Sequence, residues 1–368
     1  MFSEFDRSAM QRALALAARG LHTTDPNPRV GCVIARGERI VGEGWHERAG
    51  EAHAEVAALR AAGSQAVGAT AYVTLEPCAH QGRTAPCTLA LSGARVARVV
   101  YATADPNPRV NGRGAQALRT AGITVESGLL EQEARALNAG FIKRMQLGRP
   151  FVRVKLAMSL DGRSALADGT SQWITSEAAR EDVQAWRARS SAVLTGVGTV
   201  LADDPLLNVR LAGAPRQPLR VVLDTHLRTP QGARLFGAGG EVLILTALAS
   251  LDEARATALS ARGARVETLP AAADRLELPA VLDRLGELEA NEVLVEAGAT
   301  LAGEFLRQGL ADELLLYVAP KLLGPEARAL VDLPALRELK DAPAYALIET
   351  HTVGADLRLR LTPAAPAA

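Results

Sequence analysis

The stretch that decides the fold of the first half of the chain runs from His53 to Cys87 and reads HAEVAALRAAGSQAVGATAYVTLEPCAHQGRTAPC. A helical run (residues 52–62) and an apolar strand (residues 69–75) separate its histidine from its two cysteines, Cys78 and Cys87. One imidazole and two thiolates are three ligands of the kind that a catalytic zinc prefers, with the fourth position left for water. The stretch therefore predicts a metal centre held between a helix and the end of a strand.

Glu55 follows the histidine by two residues, which suits it as a proton shuttle rather than as a ligand. His-x-Glu with a later Pro-Cys-x-x-Cys is the signature of zinc deaminases. Pro77-Cys78 fits that signature, but the second cysteine comes after a longer gap, at Cys87. We expect an activated water to attack an amidine-type carbon that bears an exocyclic amine, with Glu55 moving protons to the ring nitrogen and to the departing ammonia.

Two other interpretations of these residues must be weighed. A structural zinc site usually has four protein ligands, and only three converge here. Cys32 lies in the middle of a strand in Val-Gly-Cys-Val, so we expect it to be a core residue instead of the fourth ligand. A helical histidine beside two thiols that act as small hydrophobes is the remaining alternative.

Length and charge restrict the class of protein. At 368 residues the chain exceeds the usual size of one domain, so two domains are expected. Lys plus Arg and Asp plus Glu each number 41, so no overall field attracts nucleic acid or an anionic membrane. No apolar run approaches the roughly 20 residues of a membrane span. With no secretory signal visible and three cysteines, the sequence predicts a soluble cytoplasmic protein with no nucleic-acid or membrane partner.

Alternating helices and strands predict two α/β domains. In the first, residues 1–147, we expect a helix capped by Asp6, a hairpin of strands 30–35 and 39–45, and one helix over residues 129–145. Gly148-Arg149-Pro150 interrupts that helix and suits a linker. A second α/β series then fills residues 148–368 and ends in a strand-rich segment.

Two glycine-marked junctions in the second half each lead from a strand into a helix. They are residues 195–199 (Thr-Gly-Val-Gly-Thr) and residues 296–304 (Glu-Ala-Gly-Ala-Thr-Leu-Ala-Gly-Glu). Small residues there let main-chain amides approach a phosphate, although they also permit close packing of a helix on a sheet. Neither junction is Gly-x-Gly-x-x-Gly, so the pattern favours a nucleotide site without a Rossmann fingerprint.

One hexapeptide, Asp-Pro-Asn-Pro-Arg-Val, occurs at residues 25–30 and again at residues 105–110. The flanking sequences do not match, so a domain duplication is not supported. Asp-Pro-Asn-Pro is turn chemistry, and a turn alone would explain both copies. The functional alternative is that both loops line one pocket and offer amide and carboxylate groups to a polar heterocycle.

The chain resembles, over residues 8–362, the bifunctional deaminase-reductase family of riboflavin biosynthesis. The segments that carry the resemblance are Pro-Asn-Pro-Arg-Val-Gly (26–31), Ala-Gly-Glu-Ala-His-Ala-Glu (49–55), Thr-Leu-Glu-Pro-Cys-Ala-His-Gln-Gly-Arg-Thr (74–84), Asp-Pro-Asn-Pro (105–108), Lys155 with Ser-Leu-Asp-Gly (159–162), Ser-Gln-Trp-Ile-Thr-Ser (171–176), Leu-Ala-Asp-Asp-Pro-Leu-Leu (201–207) and Ala-Pro-Lys-Leu-Leu-Gly (319–324). The resemblance implies a cytidine-deaminase-like three-layer α/β/α domain, followed by an α/β domain similar to dihydrofolate reductase. It implies one Zn²⁺ per chain and NADPH as cofactors, and we expect a homo-oligomer, a dimer or a tetramer.

The same resemblance implies two successive reactions on one scaffold. The first half would deaminate a diamino-pyrimidinone ribosyl phosphate, and the second half would reduce its ring-opened ribose to ribityl. The rival interpretations are a deaminase of nucleic-acid bases and a second half that only binds or oligomerises. Balanced charge and the long Cys78–Cys87 spacing argue against the first rival.

Site residues follow from the resemblance position by position. In the first half His53, Cys78 and Cys87 would hold zinc, Glu55 would be catalytic, and the substrate contacts would be Asn27, His46, Arg83, Asp105 and Asn107. In the second half Lys155 would polarise the aldehyde or relay its proton, and the substrate contacts would be Ser171, Arg187, Leu207, Arg210 and Glu296. NADPH would contact Ala157, Trp173, Thr199, Asp203, Thr225, Gly298, Ala299, Thr300, Leu301, Ala302, Gly303 and Glu304. Ala85, Ala297 and Ala299 depart from the residues common in the family, and none of these departures removes a zinc ligand or Glu55.

Overall fold

The structure is a computed structural model that describes residues 2–79, 85–108 and 110–364. It divides into two compact units, Met1–Arg149 and Pro150–Ala368, which are described separately. No helix in the described ranges combines the length and the apolar character needed to cross a membrane.

The first unit alternates helices and strands around one sheet. Its elements are α1 (Glu4–Ala18), β1 (Gly31–Arg36), β2 (Arg39–Trp45), α2 (Ala54–Ala62), β3 (Thr70–Leu75), α3 (Cys87–Gly93), β4 (Arg98–Thr103), α4 (Arg113–Thr120), β5 (Thr124–Ser127), α5 (Glu131–Leu137) and α6 (Ala139–Leu147). The strand order in the described residues is β2-β1-β3-β4-β5, with β1 antiparallel to both neighbours and β3, β4 and β5 parallel.

Both faces of this sheet are covered by helices. On one face the side chains of Cys32 and Ile34 pack with those of α2 and α3, and on the other Val33 packs with α1 and α5. Alternate residues of β1 thus enter different cores, as the two-residue period of a strand requires. The predicted three-layer α/β/α architecture is confirmed.

Local chemistry places α1 and α2 against the sheet. Ser3 caps α1, and the side chain of Asp6 accepts the N–H of Ser3 in a reciprocal capping box, so the prediction that Asp6 itself is the cap is wrong by three residues. At α2, Gly44 faces the helix backbone so closely that a Cβ would lie 2.5 Å from the nitrogen of Ala58. Glycine there lets the helix that begins next to His53 lie directly on β2.

Asn138 breaks the single helix that the sequence predicts over residues 129–145. Its side-chain oxygen accepts the N–H of Arg29 and its side-chain nitrogen donates to the carbonyl of Arg29, both at 2.8 Å. The side-chain amide of Asn138 thus bonds to the main chain of Arg29 as a paired strand would, through one donor and one acceptor. Helices α5 and α6 therefore meet at a bend, which the periodicity of the sequence could not reveal.

The second unit contains a nine-stranded sheet within the described residues. Its elements are β6 (Phe151–Ser159), β7 (Arg163–Ala165), α7 (Glu177–Arg189), β8 (Ala192–Gly196), α8 (Val197–Asp203), β9 (Leu219–Leu223), β10 (Val242–Ala247), α9 (Glu253–Ser260), β11 (Ala264–Leu269), β12 (Ala271–Ala272), β13 (Arg275–Leu276), α10 (Leu278–Glu287), β14 (Glu292–Glu296), α11 (Ala299–Arg307), β15 (Glu313–Ala319), β16 (Arg328–Ala329), β17 (Tyr345–Val353) and β18 (Asp356–Pro363). The order is β11-β10-β9-β8-β14-β6-β15-β18-β17, parallel from β11 to β15, with β18 and β17 antiparallel. Strand β11 was not predicted.

Helices cover both faces of this sheet as well. Helices α10 and α11 pack on one face, and α7, α8 and α9 pack on the other. The carboxyl ends of β6, β14 and β8 lie side by side because these strands are adjacent and parallel. In such sheets ligands bind beyond the carboxyl ends of the strands.

A buried ion cluster lies near the start of β6, at Arg153, two residues before Lys155. Arg153, 2% exposed in its side chain, contacts Glu292 at 3.0 Å and Glu313 at 2.5 Å, and Arg189 also reaches Glu292 at 2.6 Å. Because every buried charge has a partner, the desolvation cost of the cluster is offset.

Trp186 stands in the middle of that cluster. The guanidinium carbons of Arg153, Arg189, Arg358 and Arg360 lie 4.7, 5.7, 5.6 and 5.4 Å from its ring centroid. Cations near an aromatic face are attracted by its quadrupole. The tryptophan therefore joins α7 to the strand pair β15–β18.

Candidate active sites

Three potential metal ligands converge in the first unit. Nδ1 of His53 lies 3.2 Å from Sγ of Cys87 and 3.6 Å from Sγ of Cys78, and the three ligand atoms all fall within 4.8 Å of one another. His53 is the cap residue of α2 and Cys87 is the first residue of α3, while Cys78 follows β3. His53 and Cys87 therefore both lie at helix starts.

The donor set fits zinc. In a tetrahedron with about 2.3 Å to sulfur and about 2.0 Å to nitrogen, a nitrogen and a sulfur ligand lie about 3.5 Å apart. The two nitrogen–sulfur distances, 3.2 and 3.6 Å, bracket that value. A fourth protein ligand does not join the group within the described residues, so one coordination position stays available to water.

The pKa values of the two thiols are shifted in opposite directions. The hydrogen bond from the Cys87 thiol, helped by His53 and by the main-chain N–H of Cys87, lowers the pKa of Cys78 to about 4. The same bond, together with burial, raises the pKa of Cys87. The arrangement therefore already holds one thiolate, the form in which cysteine binds a metal.

Glu55 is buried at the start of α2, in the same small space as the ligands. Only 4% of it is exposed, and burial raises the pKa of its carboxyl group. Its side chain is also within hydrogen-bonding reach of Cys87. A raised pKa strengthens the hold of a carboxylate on a proton, which suits a group that takes a proton from water.

His46 and Asn27 form a hydrogen-bonded pair beside the ligands. Nε2 of His46 lies 3.0 Å from Nδ2 of Asn27, and its Nδ1 lies 3.1 Å from the carbonyl oxygen of Ala52. Since a carbonyl can only accept, Nδ1 carries the proton and Nε2 accepts from the Asn27 amide. Both ring nitrogens of His46 are thus engaged within the protein, and burial lowers the pKa of His46.

In the second copy of the repeated hexapeptide, the described residues 105–108 and 110 are joined by two short-range hydrogen bonds. Asp105 accepts the N–H of Asn107 at 2.8 Å, and the carbonyl of Asn107 accepts the N–H of Val110 at 2.8 Å. Burial raises the pKa of Asp105 to about 6. Arg83, the predicted phosphate contact, lies outside the described residues.

No function was predicted for Glu76 from the sequence, yet its carboxylate binds the main chain of this loop. Its carboxylate accepts the N–H groups of Asp105 at 3.4 Å, Gly112 at 3.0 Å and Ala115 at 3.1 Å. The signal that could have revealed it is an acidic residue placed directly after a fully buried strand and two residues before Cys78.

In the second unit Lys155, Glu296 and Arg187 form a buried charged group. Lys155 and Glu296 face each other in the register of β6 and β14, and Arg187 donates two bonds to the Glu296 carboxylate, at 2.6 and 2.9 Å. Burial lowers the pKa of Lys155, and the neighbouring Arg187 lowers it further. Burial alone would raise the pKa of Glu296, but Arg187 and Lys155 hold it below its usual value.

Other predicted substrate residues lie around that group. Arg187 also donates to the carbonyl of Asn208 at 2.9 Å, and the N–H of Arg210 donates to Gln184 at 3.0 Å, so both arginines belong to one cluster. The side chain of Leu207 is in the core beside α7, so only its main chain can face a ligand there. Ser171 is half-buried, and its carbonyl accepts the N–H of Ile174.

The predicted cofactor residues occupy the carboxyl edge of the sheet. Gly298 caps α11 and Gly196 caps α8, and a Cβ on Gly196 would lie 3.3 Å from a methyl group of Leu301, so the two junctions touch. Thr199 and Asp203 lie on α8. The first amides of a helix have no partner in their own helix and suit a phosphate.

Several of the predicted cofactor residues make hydrogen bonds or packing contacts within the protein instead. Ala302 donates its N–H to Gly298 within the helix, and Gly303 packs against the main chain of Asp332. Glu304 is bonded to Arg307 at 2.5 Å. The amides that remain for a ligand at this junction therefore belong to residues that precede Ala302.

The remaining predicted cofactor residues flank the same edge. Trp173 exposes 61% of its surface, and the guanidinium of Arg180 lies 4.4 Å from its ring centroid. Ala157 pairs with Tyr317 on β15, two residues beyond Lys155. The carbonyl of Thr225, just after β9, accepts a bond from Thr246 at 2.9 Å.

Comparison with known proteins defines the class of each half. Residues 3–103 match the model of the cytidine and deoxycytidylate deaminase zinc-binding region, and residues 150–359 match that of the RibD C-terminal domain. A zinc-binding deaminase and a reductase domain are thus joined in one chain.

The chain belongs to the RibD family of riboflavin biosynthesis proteins. It is 50% identical to riboflavin biosynthesis protein RibD of Escherichia coli, over 97% of this chain and 99% of that protein, and 43% identical to that of Bacillus amyloliquefaciens, over 96% and 95%. Among solved structures, RibD of Acinetobacter baumannii superposes with a TM-score of 0.92 at 46% identity, covering 98% of this chain and 99% of that one. The deaminase/reductase of Thermotoga maritima superposes with a TM-score of 0.85 at 33% identity, with the same coverage.

The two activities and the cofactors follow from this membership. The chain is a bifunctional enzyme of riboflavin biosynthesis, a hydrolytic deaminase and an oxidoreductase. Its cofactors are zinc in the deaminase part and NADPH in the reductase part. The predicted fold class, function and cofactors are confirmed.

Proposed function

We propose that residues 1–147 deaminate a diamino-pyrimidinone ribosyl phosphate and that residues 148–368 reduce the ribosyl group of the product to ribityl. The solved Thermotoga maritima relative carries both activities in its description, diaminohydroxyphosphoribosylaminopyrimidine deaminase and 5-amino-6-(5-phosphoribosylamino)uracil reductase. The observation that carries the proposal is the convergence of His53, Cys78 and Cys87 with the buried Glu55 beside them.

In the deaminase site, His53, Cys78 and Cys87 hold the zinc. When bound, the metal supplies an activated water as the nucleophile. Glu55 would take one proton of that water and deliver it to the ring nitrogen, and would then move the second proton, from the hydroxyl group added to the ring carbon, to the amine, which leaves as ammonia. Burial raises the pKa of Glu55, so its carboxyl group holds a proton more tightly than an exposed glutamate does, which supports its role in proton transfer.

The substrate ring in that site contacts amides and carboxyl groups. Asn27, with one amide hydrogen bonded to His46, keeps a second N–H and its oxygen for the ring. Asp105 and Asn107 contribute from the second loop, and Arg83 binds the phosphate. The two copies of the hexapeptide would thus line one pocket.

In the reductase site, the charged group on β6, β14 and α7 binds the substrate. NADPH supplies a hydride when bound. Arg187 and Arg210 bind the phosphate, Glu296 orients Arg187 and binds ribosyl hydroxyls, and Lys155 donates the proton that the reduced aldehyde oxygen requires. A lysine whose pKa is lowered by burial is a better acid than an exposed one. Ser171 and the main chain of Leu207 complete the substrate site, and the residues of the carboxyl edge of the sheet hold the cofactor.

The experiment that tests the deaminase assignment is Glu55→Gln. We expect ammonia release to fall about 10²–10⁴-fold, the range of a positioned proton shuttle, with zinc still bound. Elemental analysis and an ammonia assay measure the two quantities separately. Glu47→Gln, at an exposed position of the same unit, is the control and should leave both unchanged. A Glu55→Gln enzyme that deaminates at the normal rate would contradict the assignment.

We propose in addition that the enzyme is a homo-oligomer, a dimer or a tetramer. Strand β17 ends the large sheet, and its side chains Leu347 and Ile348 are 60% and 52% exposed. Open sheet edges with apolar side chains favour pairing with another chain. Light scattering of the wild type and of Ile348→Asp tests this, because the substitution should reduce the measured mass if the edge is the interface.

We propose the cytoplasm as the place of action. Cys78 and Cys87 must stay reduced to bind a metal, and reduced thiols are maintained in that compartment. Cell fractionation followed by the NADPH oxidation assay tests the location.

A further inference from the structure

We propose that Glu76 is a positioning residue of the deaminase, which fixes the substrate loop (residues 105–108 and 110–112) to the segment that carries the ligand Cys78. The inference rests on the proposed roles of Asp105 and Asn107 as substrate contacts. Glu76 itself touches neither the ligand atoms nor the proposed substrate groups by any hydrogen bond among the described residues.

The carboxylate acts as a three-point anchor. Oε2 accepts from the N–H groups of Asp105 at 3.4 Å and Gly112 at 3.0 Å, which are the two ends of the loop, and Oε1 accepts from Ala115 at 3.1 Å, in the first turn of α4. Glu76 is only 3% exposed. A buried carboxylate that accepts several main-chain N–H bonds at a helix start is held firmly, since each bond is charge-assisted and the helix dipole favours the negative charge.

The backbone on either side of Glu76 is fixed as well. Its own N–H donates to the carbonyl of Thr103 at 2.9 Å, which extends the pairing of β3 with β4 by one residue. The carbonyl of Pro77 lies against Gly114 so closely that a Cβ there would be 2.0 Å away. The ligand segment therefore contacts the end of β4 through the N–H of Glu76 and the start of α4 through the carbonyl of Pro77.

The geometry explains why this position needs a carboxylate. Glutamine has the same shape but only one accepting oxygen. If its NH₂ group takes the place of Oε1, the bond from Ala115 is lost, and if it takes the place of Oε2, the bonds from Asp105 and Gly112 are lost. Either loss weakens the attachment of α4 and the loop before it to the segment of Cys78, so the Asp105–Asn107 turn would move relative to Cys78. Loss of substrate contacts made equally in the ground state and the transition state raises KM and leaves kcat unchanged.

The test compares Glu76→Gln with Asp6→Asn in the full-length holoenzyme. Asp6 is the matched control, because it is a buried carboxylate of the same unit that also accepts a main-chain N–H, on α1. We expect Glu76→Gln to keep its zinc and to raise KM for the diamino-pyrimidinone ribosyl phosphate about tenfold, with kcat within threefold of the wild type. Hydrogen exchange followed by mass spectrometry should show faster exchange of the amides of residues 104–116 in Glu76→Gln and not in Asp6→Asn.

Four results would overturn the inference: unchanged exchange of residues 104–116, unchanged KM, loss of zinc, or faster exchange throughout the unit, which would make Glu76 a general stabiliser. Asn107→Ala separates this inference from the proposed function. If Asn107→Ala raises KM and Glu76→Gln does not, the anchor is wrong and the substrate loop stands. If neither raises KM, the substrate loop itself is wrong and the inference fails with it.

Discussion

The two sites of this chain are built in opposite ways. The deaminase centre takes its three ligands and Glu55 from a continuous stretch of 35 residues, His53 to Cys87, and two of the ligands stand at helix starts. The proposed reductase site would collect single residues from distant segments, such as Lys155 on β6, Arg187 on α7 and Glu296 on β14. The deaminase centre depends on one metal ion that three side chains share. The reductase site depends on ion pairs between side chains that neighbouring elements of the large sheet hold in place.

This difference predicts how each site fails. Removing one ligand from a shared ion removes the ion and everything that it holds, because metal binding is coupled to folding. Removing one charge from the sheet-borne group leaves the strands in place and changes the affinity or the protonation of what remains. The predictions below test that contrast, starting with the largest effect.

Cys87→Ser should abolish zinc binding and lower ammonia release about 10³-fold or more, because the two remaining ligands cannot retain the metal at a useful concentration. Elemental analysis and the ammonia assay report the loss, and the thermal transition of the first unit should fall with it. Cys32→Ala is the matched control, since Cys32 is also fully buried but packs in the core. Zinc retained at one per chain in Cys87→Ser would refute the shared-ion picture.

Arg153→Met should lower the free energy of unfolding of the second unit by about 3–5 kcal/mol, because it leaves Glu292 and Glu313 buried without their common partner. Calorimetry of the wild type and the variant measures the change. Arg265→Met is the control, because the pair of Arg265 with Glu267 is largely exposed and should contribute less than about 1 kcal/mol. Equal effects of the two substitutions would contradict the importance of burial.

Glu296→Gln should raise KM of the reductase for its pyrimidine substrate about tenfold and leave ammonia release unchanged. The substitution keeps the shape of the side chain but removes the charge that fixes Arg187 through two bonds. Steady-state NADPH oxidation measures KM. Glu287→Gln, which alters a mostly exposed pair with Arg284 on α10, is the control and should leave KM unaltered.

Lys155→Met should make the second unit more stable at neutral pH, and the advantage should shrink as the pH rises. Burial lowers the pKa of Lys155 in the folded state, so the unfolded chain binds its proton more tightly and the wild type gains stability as the pH rises from the folded pKa toward the unfolded value of about 10.4. Calorimetric transitions at pH 7.5 and pH 9.5 measure the gap between the two proteins. A gap that widens with pH would reverse the sign and refute the lowered pKa.

The sequence predicted the deaminase fold and zinc group well because their chemistry is local. A metal site is indicated by residue type and spacing alone, at His53, Glu55, Cys78 and Cys87. The helix and the strand between these residues have clear hydrophobic patterns. The second site became visible only through resemblance, because Arg187 and Glu296 lie 109 residues apart and no spacing rule joins them.

What the sequence missed depends on tertiary contacts. Asn138 breaks a helix only because Arg29 offers its main chain at that point, and Glu76 gains three amides only because α4 and its loop fold onto it. The N-cap of α1 is Ser3 and not the predicted Asp6, because the two residues form a capping box in which Asp6 occupies the third helical position. Local sequence patterns identify candidate residues, but the contacts that determine what these residues do are made with distant parts of the chain.

The place of β6 in the large sheet has a consequence for biosynthesis. This strand begins at Phe151, yet its neighbours in the sheet are β14 and β15, which end at Glu296 and Ala319. A ribosome that adds about 5–20 residues per second therefore holds β6 without either neighbour for several seconds or more, while the first unit already has all its strands. The sheet of the first unit can therefore form during translation, whereas β6 stays without its partners until β14 and β15 have been synthesised.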